Sequence, residues 1–173
     1  MKGYPAVGWI LGLLVPLLWA AAGASAAAEP KKAPSGAAQV RITQIDVAIS
    51  EAGPVVLLKA ENKAIPVFVD VTVAESIHAA LTGGKPRRPF PHDLMHSVLS
   101  AYDGSVTEVA ISLKGAIYYA ALTVTVSGNR KVFDSRASDA IALAVHFKAP
   151  IHVSRALLDS AGQELERPRG TPL

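Results

Sequence analysis

Residues 132–153 read V-F-D-S-R-A-S-D-A-I-A-L-A-V-H-F-K-A-P-I-H-V, and the pattern changes character three times within that run. Val132 and Phe133 close an apolar alternating segment, which Asp134, Ser135 and Arg136 interrupt with side chains that compete for backbone hydrogen bonds. From about Ala137, apolar positions Ala137, Ile141, Ala144 and Val145 recur at helical spacing. Ala140, Leu143 and Phe147 cover other faces, which predicts a helix buried on most sides. Pro150 forbids further helix and Ile151-His152-Val153 reads as a short strand. Strand, charged corner, buried helix, strand is thus the expected order. Asp134, Arg136 and Asp139 then stand where the first amides of a helix have no partner inside the helix, a setting that suits an anion.

Working outward, Arg155 to Ala161 is expected to form a last short helix ended by Gly162, with 163–173 a frayed tail. Upstream, Ser105–Leu113, Ala116–Ser127 and Arg130–Asp134 read as three strands joined by tight turns at Lys114-Gly115 and Gly128-Asn129, an antiparallel meander. Tyr118 and Tyr119 on the middle strand either pack across strands or stack a base. Before the meander, His92 to Tyr102 has a helical stripe of Leu94, Met95, Val98, Leu99 and Tyr102 that is expected to face the core. Its opening, His92-Asp93-Leu94-Met95-His96, spaces two imidazoles as in helical zinc motifs, but no third ligand follows at a recognisable distance.

The stretch 83–91, G-G-K-P-R-R-P-F-P, cannot be helical and gathers Lys85, Arg87 and Arg88 on a proline-stiffened loop, either a solvated connector or a phosphate contact. A helix is expected from Thr72 to about Leu81, opened by a Thr72–Glu75 capping box. Pro54–Ala60 and Ala64–Val69 form a hairpin in which Pro66 demands an edge position or a bulge. Val40–Ser50 is a further strand whose phase slips at Thr43-Gln44, as at a bulge.

The whole is an α+β class chain, a single compact domain with a largely antiparallel sheet and three to four helices. Residues 1–28 read as a signal peptide, with Lys2 ahead of an apolar stretch from Trp9 to Trp19 and small residues at Ala24-Ser25-Ala26 or Ala26-Ala27-Ala28; a retained membrane anchor is the alternative. The expected location is therefore exported, periplasmic or secreted. Residues 29–39 read as a linker, 40–162 as the domain and 163–173 as the tail. The chain has no cysteine, which rules out disulfides and a cysteine-linked lipid anchor. A formal net charge of +3, with Lys2 the sole charge in the leader, is too weak to act as a general polyelectrolyte footprint.

D-S-R-A-S-D-A-I-A-L-A followed by A-P-I resembles the bifunctional nuclease domain family. So do Pro66-Val67-Phe68-Val69, similar to that family's P-I-W-I strand, and Arg88-Pro89-Phe90-Pro91-His92-Asp93-Leu94, similar to its R-P-L-T-H-D-L. The similarity spans roughly 40–162. It implies a compact α and β domain, homo-oligomeric assembly and, as in some members, hydrolysis of both DNA and RNA; hydrolysing a phosphodiester usually takes one or two hard cations held by carboxylates, here expected to be Mg2+ or Mn2+. The parts that such chemistry needs give the candidate roles: His92, Asp93, Arg136 and Asp139 catalytic; Arg88, Arg136 and Ser138 against substrate; Asp93, Asp134 and Asp139 on metal. Where the family has Gly followed by Glu-Ala, this chain has Asp70 followed by Val73-Ala74, so the family's acid is missing at 73.

Two readings of the charged corner follow. As chemistry, carboxylates hold a hard cation, His92 acts as base and Arg136 clamps phosphate, provided the His92 helix packs on the corner. As architecture, Arg136 is the N-cap, Asp139 at the third helical position reaches back to a free amide, and an arginine–carboxylate pair knits two elements in a noncatalytic, oligomeric envelope module.

Overall fold

A computed structural model describes residues 38–165, so the expected leader, most of the linker and the end of the tail lie outside the described residues. The described chain is a single α+β domain of nine strands and four helices in two mostly antiparallel sheets.

The run 40–50 is two strands rather than one bulged strand. β1 (Gln39–Arg41) pairs with β8 (Ile151–Ser154) in the first sheet, and β2 (Gln44–Ser50) pairs with β3 (Gly53–Ala60) in the second. The phase slip at Thr43-Gln44 is the point where the chain changes sheets. β3 and β4 (Lys63–Phe68) make the expected hairpin. Pro66 causes no loss of sheet pairing: β9 (Gln163–Glu164) reaches only Lys63 and Ala64, so β4 is an edge at the proline. β9 also shows that the tail begins as a strand, with Leu165 N donating to Asn62 O.

The first helix, α1 (Val71–Thr82), starts at N-cap Asp70, two residues before the expected Thr72 cap, and no side chain caps it. The Thr72–Glu75 capping box does not form: with Asp70 as the N-cap, Glu75 is not at the third helical position. α2 (Pro91–Ala101) carries a proline at its first position, where a missing N–H costs nothing. The meander is as expected: β5 (Gly104–Lys114), β6 (Ile117–Val126) and β7 (Asn129–Arg136) pair antiparallel in sequence. β8 joins β5 in parallel, which gives the first sheet the order β1-β8-β5-β6-β7.

α3 (Ala137–Phe147) follows β7 directly, with Arg136 as N-cap. Ala137 and Ala140 to Ala144 are all buried, as the small, apolar sequence requires of a helix enclosed on most sides. It packs on β5 and β6 and on α1, and α1 in turn packs on β2 and β3, so α3 is the central layer between the sheets. The core joins Val56, Leu58 and Ile65 of the second sheet to Ile77, Ile141, Val109 and Val153. α4 (Arg155–Ala161) is capped by Ser154 Oγ accepting from Leu157 N at 3.1 Å.

Candidate functional site

Three helices begin at one place. Asp70, the N-cap of α1, has Oδ2 3.6 Å from Arg136 Nη1, and Arg136 is the N-cap of α3. Asp139, in the first turn of α3, receives the same guanidinium on both oxygens, Nε to Oδ2 at 2.7 Å and Nη2 to Oδ1 at 2.9 Å. His92, in the first turn of α2, places Nε2 3.3 Å from Asp139 Oδ1. The N-terminal turns of α1, α2 and α3 therefore share one cluster of charge, and their dipoles add positive potential there. Neither α1 nor α3 has a side-chain cap, so their first amides stay available to an anion.

The cluster has a wet side and a dry side. Arg136 and Asp70 are exposed and Asp139 is half-buried, whereas His92 is only 7 % exposed and its Nδ1 is buried without a hydrogen-bond partner. Arg136, by hydrogen bond and charge, holds the Asp139 carboxyl below its ordinary range; His92 adds to this, against the opposing effect of burial. Asp139 raises the Arg136 pKa in return.

Asp93 belongs to a neighbouring network. Its Oδ2 accepts from Phe90 N at 2.8 Å, closing the start of α2, and its Oδ1 lies 3.7 Å from His146 Nδ1. His146 Nε2 is 3.1 Å from Ser76 Oγ, so α1, α2 and α3 meet again at this imidazole. Burial lowers the His146 pKa, with the His96 and His92 charges acting the same way and Asp93 opposing. The order serine, histidine, aspartate is that of a hydrolytic triad, but Ser76 is 0 % exposed and no substrate reaches its oxygen. His96 packs against Phe147 with ring centroids 4.5 Å apart and planes tilted by 54°, and its centroid lies 5.9 Å from that of His146.

Of the residues expected from sequence, His92, Arg136 and Asp139 come together as a contact set. Asp93 is on the adjoining network. Asp134 is exposed on β7 across from Ala121, and Arg88 is exposed on the 83–90 loop; neither, nor half-buried Ser138, makes a side-chain hydrogen bond or ion pair among the described residues. Asp139 does not reach back to an amide of its own helix: its oxygens are taken by Arg136 and His92. Among the described residues no three His, Asp or Glu side chains are placed to hold a metal ion. Asp93, Asp134 and Asp139 are thus no ready-made cation site, because two of them already answer to arginine, histidine or amide donors.

Sequence reasoning missed Asp70, Ser76 and His146. The signal for His146 was present: it stands seven residues after Asp139, on the same face of α3, opposite the face of α2 that carries His92 and His96. Asp70 was the conspicuous departure at a glycine position. Val73, at the place of the family's acid, is 4 % exposed in the core, and the carboxylate at this helix end comes instead from Asp70, three residues earlier.

Comparison with known proteins bears on this geometry. The family model described as the bifunctional nuclease domain matches residues 55–166. Two uncharacterized proteins from two strains of Mycobacterium tuberculosis, CDC 1551 / Oshkosh and H37Rv, are each 34 % identical over 127 residues, covering 72 % of this chain and 76 % of theirs. The chain therefore belongs to the bifunctional nuclease domain family.

Proposed function

We propose that this protein is an exported, homo-oligomeric nuclease that hydrolyses phosphodiester bonds in DNA or RNA, with the cluster of Arg136, Asp139, His92 and Asp70 as its centre. The observation that carries the reading is the meeting of three helix N-termini on the Arg136–Asp139 pair, Asp70 on the guanidinium and His92 on the carboxylate, in a chain of a nuclease family. A phosphate entering from the exposed side meets Arg136 and the uncapped first turns of α1 and α3. Arg136 exchanges one of its two bonds to Asp139 for a phosphate oxygen. The freed carboxylate oxygen takes the proton of the attacking water, a P–O bond forms and the ester P–O bond breaks, and solvent protonates the departing oxygen. His92 supports Asp139 from the buried side and disperses the charge change. Asp93, tied to His146, fixes the start of the helix that carries His92. Arg88 and Ser138 flank the cluster in sequence and contact the strand beyond the scissile phosphate.

Mg2+ or Mn2+ remains in the proposal as a species that arrives with the nucleic acid. Mg2+ is commonly held by one or two carboxylates together with phosphate oxygens, a mode that needs no preformed cage. The N-terminal apolar stretch supports export. Incubation of the purified protein with single-stranded DNA and RNA, in Mg2+ or Mn2+, tests the reading: cleavage that Asp139→Ala abolishes supports it, and equal cleavage by both forms assigns the activity to contamination.

The second reading is a noncatalytic oligomeric module of the envelope or periplasm that keeps the scaffold. It is favoured by Val73, a core residue where the family has an acid, and by the self-paired state of Arg136 and Asp139. Absence of cleavage with every metal and strand type would select it.

A further inference from the structure

α2 is inside out. Its inward face carries His92, His96 and Leu99, while Leu94, Met95, Val98 and Tyr102 are 58 %, 47 %, 48 % and 72 % exposed. At 100° per residue these four, with Ala101, occupy an arc of about 120° and run roughly 12 Å along the helix axis, from its second turn to its C-cap. The sequence pattern predicted that this stripe faces the core. It does not, because the site requires the imidazoles of the same helix to face α3. An apolar stripe of this kind, without a charged residue, marks a surface that is covered by something apolar.

We infer that the stripe packs against the α2 stripe of a second copy of this chain, in antiparallel orientation about a two-fold axis near Val98. The charges at the two ends of the helix choose this occupant. At the N-terminal end the 83–90 loop exposes Lys85, Arg87 and Arg88, none of which is ion-paired among the described residues, and at the C-terminal end Asp103 is exposed directly after Tyr102. An antiparallel pair sets the cationic loop of each copy beside the partner's Asp103; a parallel pair crowds six cations together. An anionic lipid surface would welcome the loop and repel Asp103. A nucleic acid finds no cation on the stripe itself. One helix face falls short of the roughly 800 Å² per partner that stable complexes bury, and the antiparallel arrangement adds the loop-to-turn contact twice.

The pairing deepens the homo-oligomer of the proposed function by naming its interface, and it bears on the site. With Val98 near the axis, Leu94 faces the partner's Tyr102, so that ring borders Pro91 and the 83–90 loop, one turn from His92. Each site then has an edge supplied by the other copy.

Light scattering on the purified protein gives the first test. The inference requires the mass of two chains or a multiple of it, and a drop to a lower state in Val98→Glu, which sets two like charges across the axis at an exposed position and leaves the far-ultraviolet circular dichroism unchanged, while its melting temperature loses the dependence on protein concentration that the assembled wild type shows. The charge pair gives the second: Arg88→Glu and Asp103→Lys each weaken association, and the double variant restores it. A wild-type monomer, a Val98→Glu variant of unchanged mass, or a double variant no better than the singles overturns the inference. So does monomeric protein that co-sediments with phosphatidylglycerol vesicles, which assigns the stripe to lipid. Because mass is read without substrate, loss of hydrolysis with the assembly intact counts against the nuclease reading alone.

Discussion

His92 Nε2 lies 3.3 Å from Asp139 Oδ1 across 47 positions of sequence. That contact ties the start of α2 to the start of α3, and it is the reason α2 turns its imidazoles inward and its leucine, methionine and tyrosine outward.

Asp139→Asn keeps the shape of the side chain and removes its charge. Cleavage of single-stranded substrate is expected to fall by about a hundredfold or more. Stability measured by urea unfolding is expected to fall by about 1–3 kcal/mol, the scale of hydrogen bonds to charged groups.

Ser76→Ala separates architecture from triad chemistry. The hydroxyl is fully buried against His146, so its loss leaves an imidazole nitrogen unpaired and lowers stability by about 1–3 kcal/mol. Hydrolysis is expected to persist in the folded variant, and a serine-directed phosphonate is expected to leave the wild-type protein unlabelled.

Asp70→Ala removes an exposed carboxylate at 3.6 Å from Arg136, which is expected to move the melting midpoint by no more than about 0.5 kcal/mol equivalent. Activity is expected to drop all the same, because Asp70 is the acid that this chain offers at the N-terminus of α1. Val73→Glu, which restores the family's acid, is expected to cost about 3 kcal/mol or more, since the position is sealed in the core.

His146 gives stability a pH dependence. Its folded pKa is depressed by burial, so the unfolded chain binds the proton more readily. The stabilisation is full above the unfolded value of about 6.5 and is lost as pH falls from there through the folded value. His146→Gln is expected to flatten urea midpoints between about pH 7 and 5 relative to wild type. Asp139, also depressed, acts lower: its contribution holds above about 3.9 and disappears as pH falls through its folded pKa.

Much of this fold is legible in local pattern. The meander announces itself through alternation and glycine turns, and α3 through the density of small apolar residues between Arg136 and Lys148. What the sequence hid depended on tertiary choice. The 40–50 run alternates well enough to be one strand, and only the competition between β8 and β3 for its two halves divides it. The α2 stripe has the correct period for a core face, but periodicity gives the existence of a face and not its direction; buried His92 and half-buried His96 outbid four hydrophobes. In the site, His92, Arg136 and Asp139 were readable as charged breaks at helix starts. Asp70 was not, since its neighbourhood to Arg136 depends on how α1 packs along α3.

The change of sheet between Arg41 and Gln44 sets the smallest piece of this protein that can be handled intact. Both ends of the domain act as clasps, β1 on the first sheet and β9 on the second, and the family match at 55–166 leaves out β1 and β2. A fragment trimmed to that match would bare the flank of β8 and the flank of β3 together, two open edges ready to recruit other chains. Expression boundaries that respect 38–165 avoid that fate.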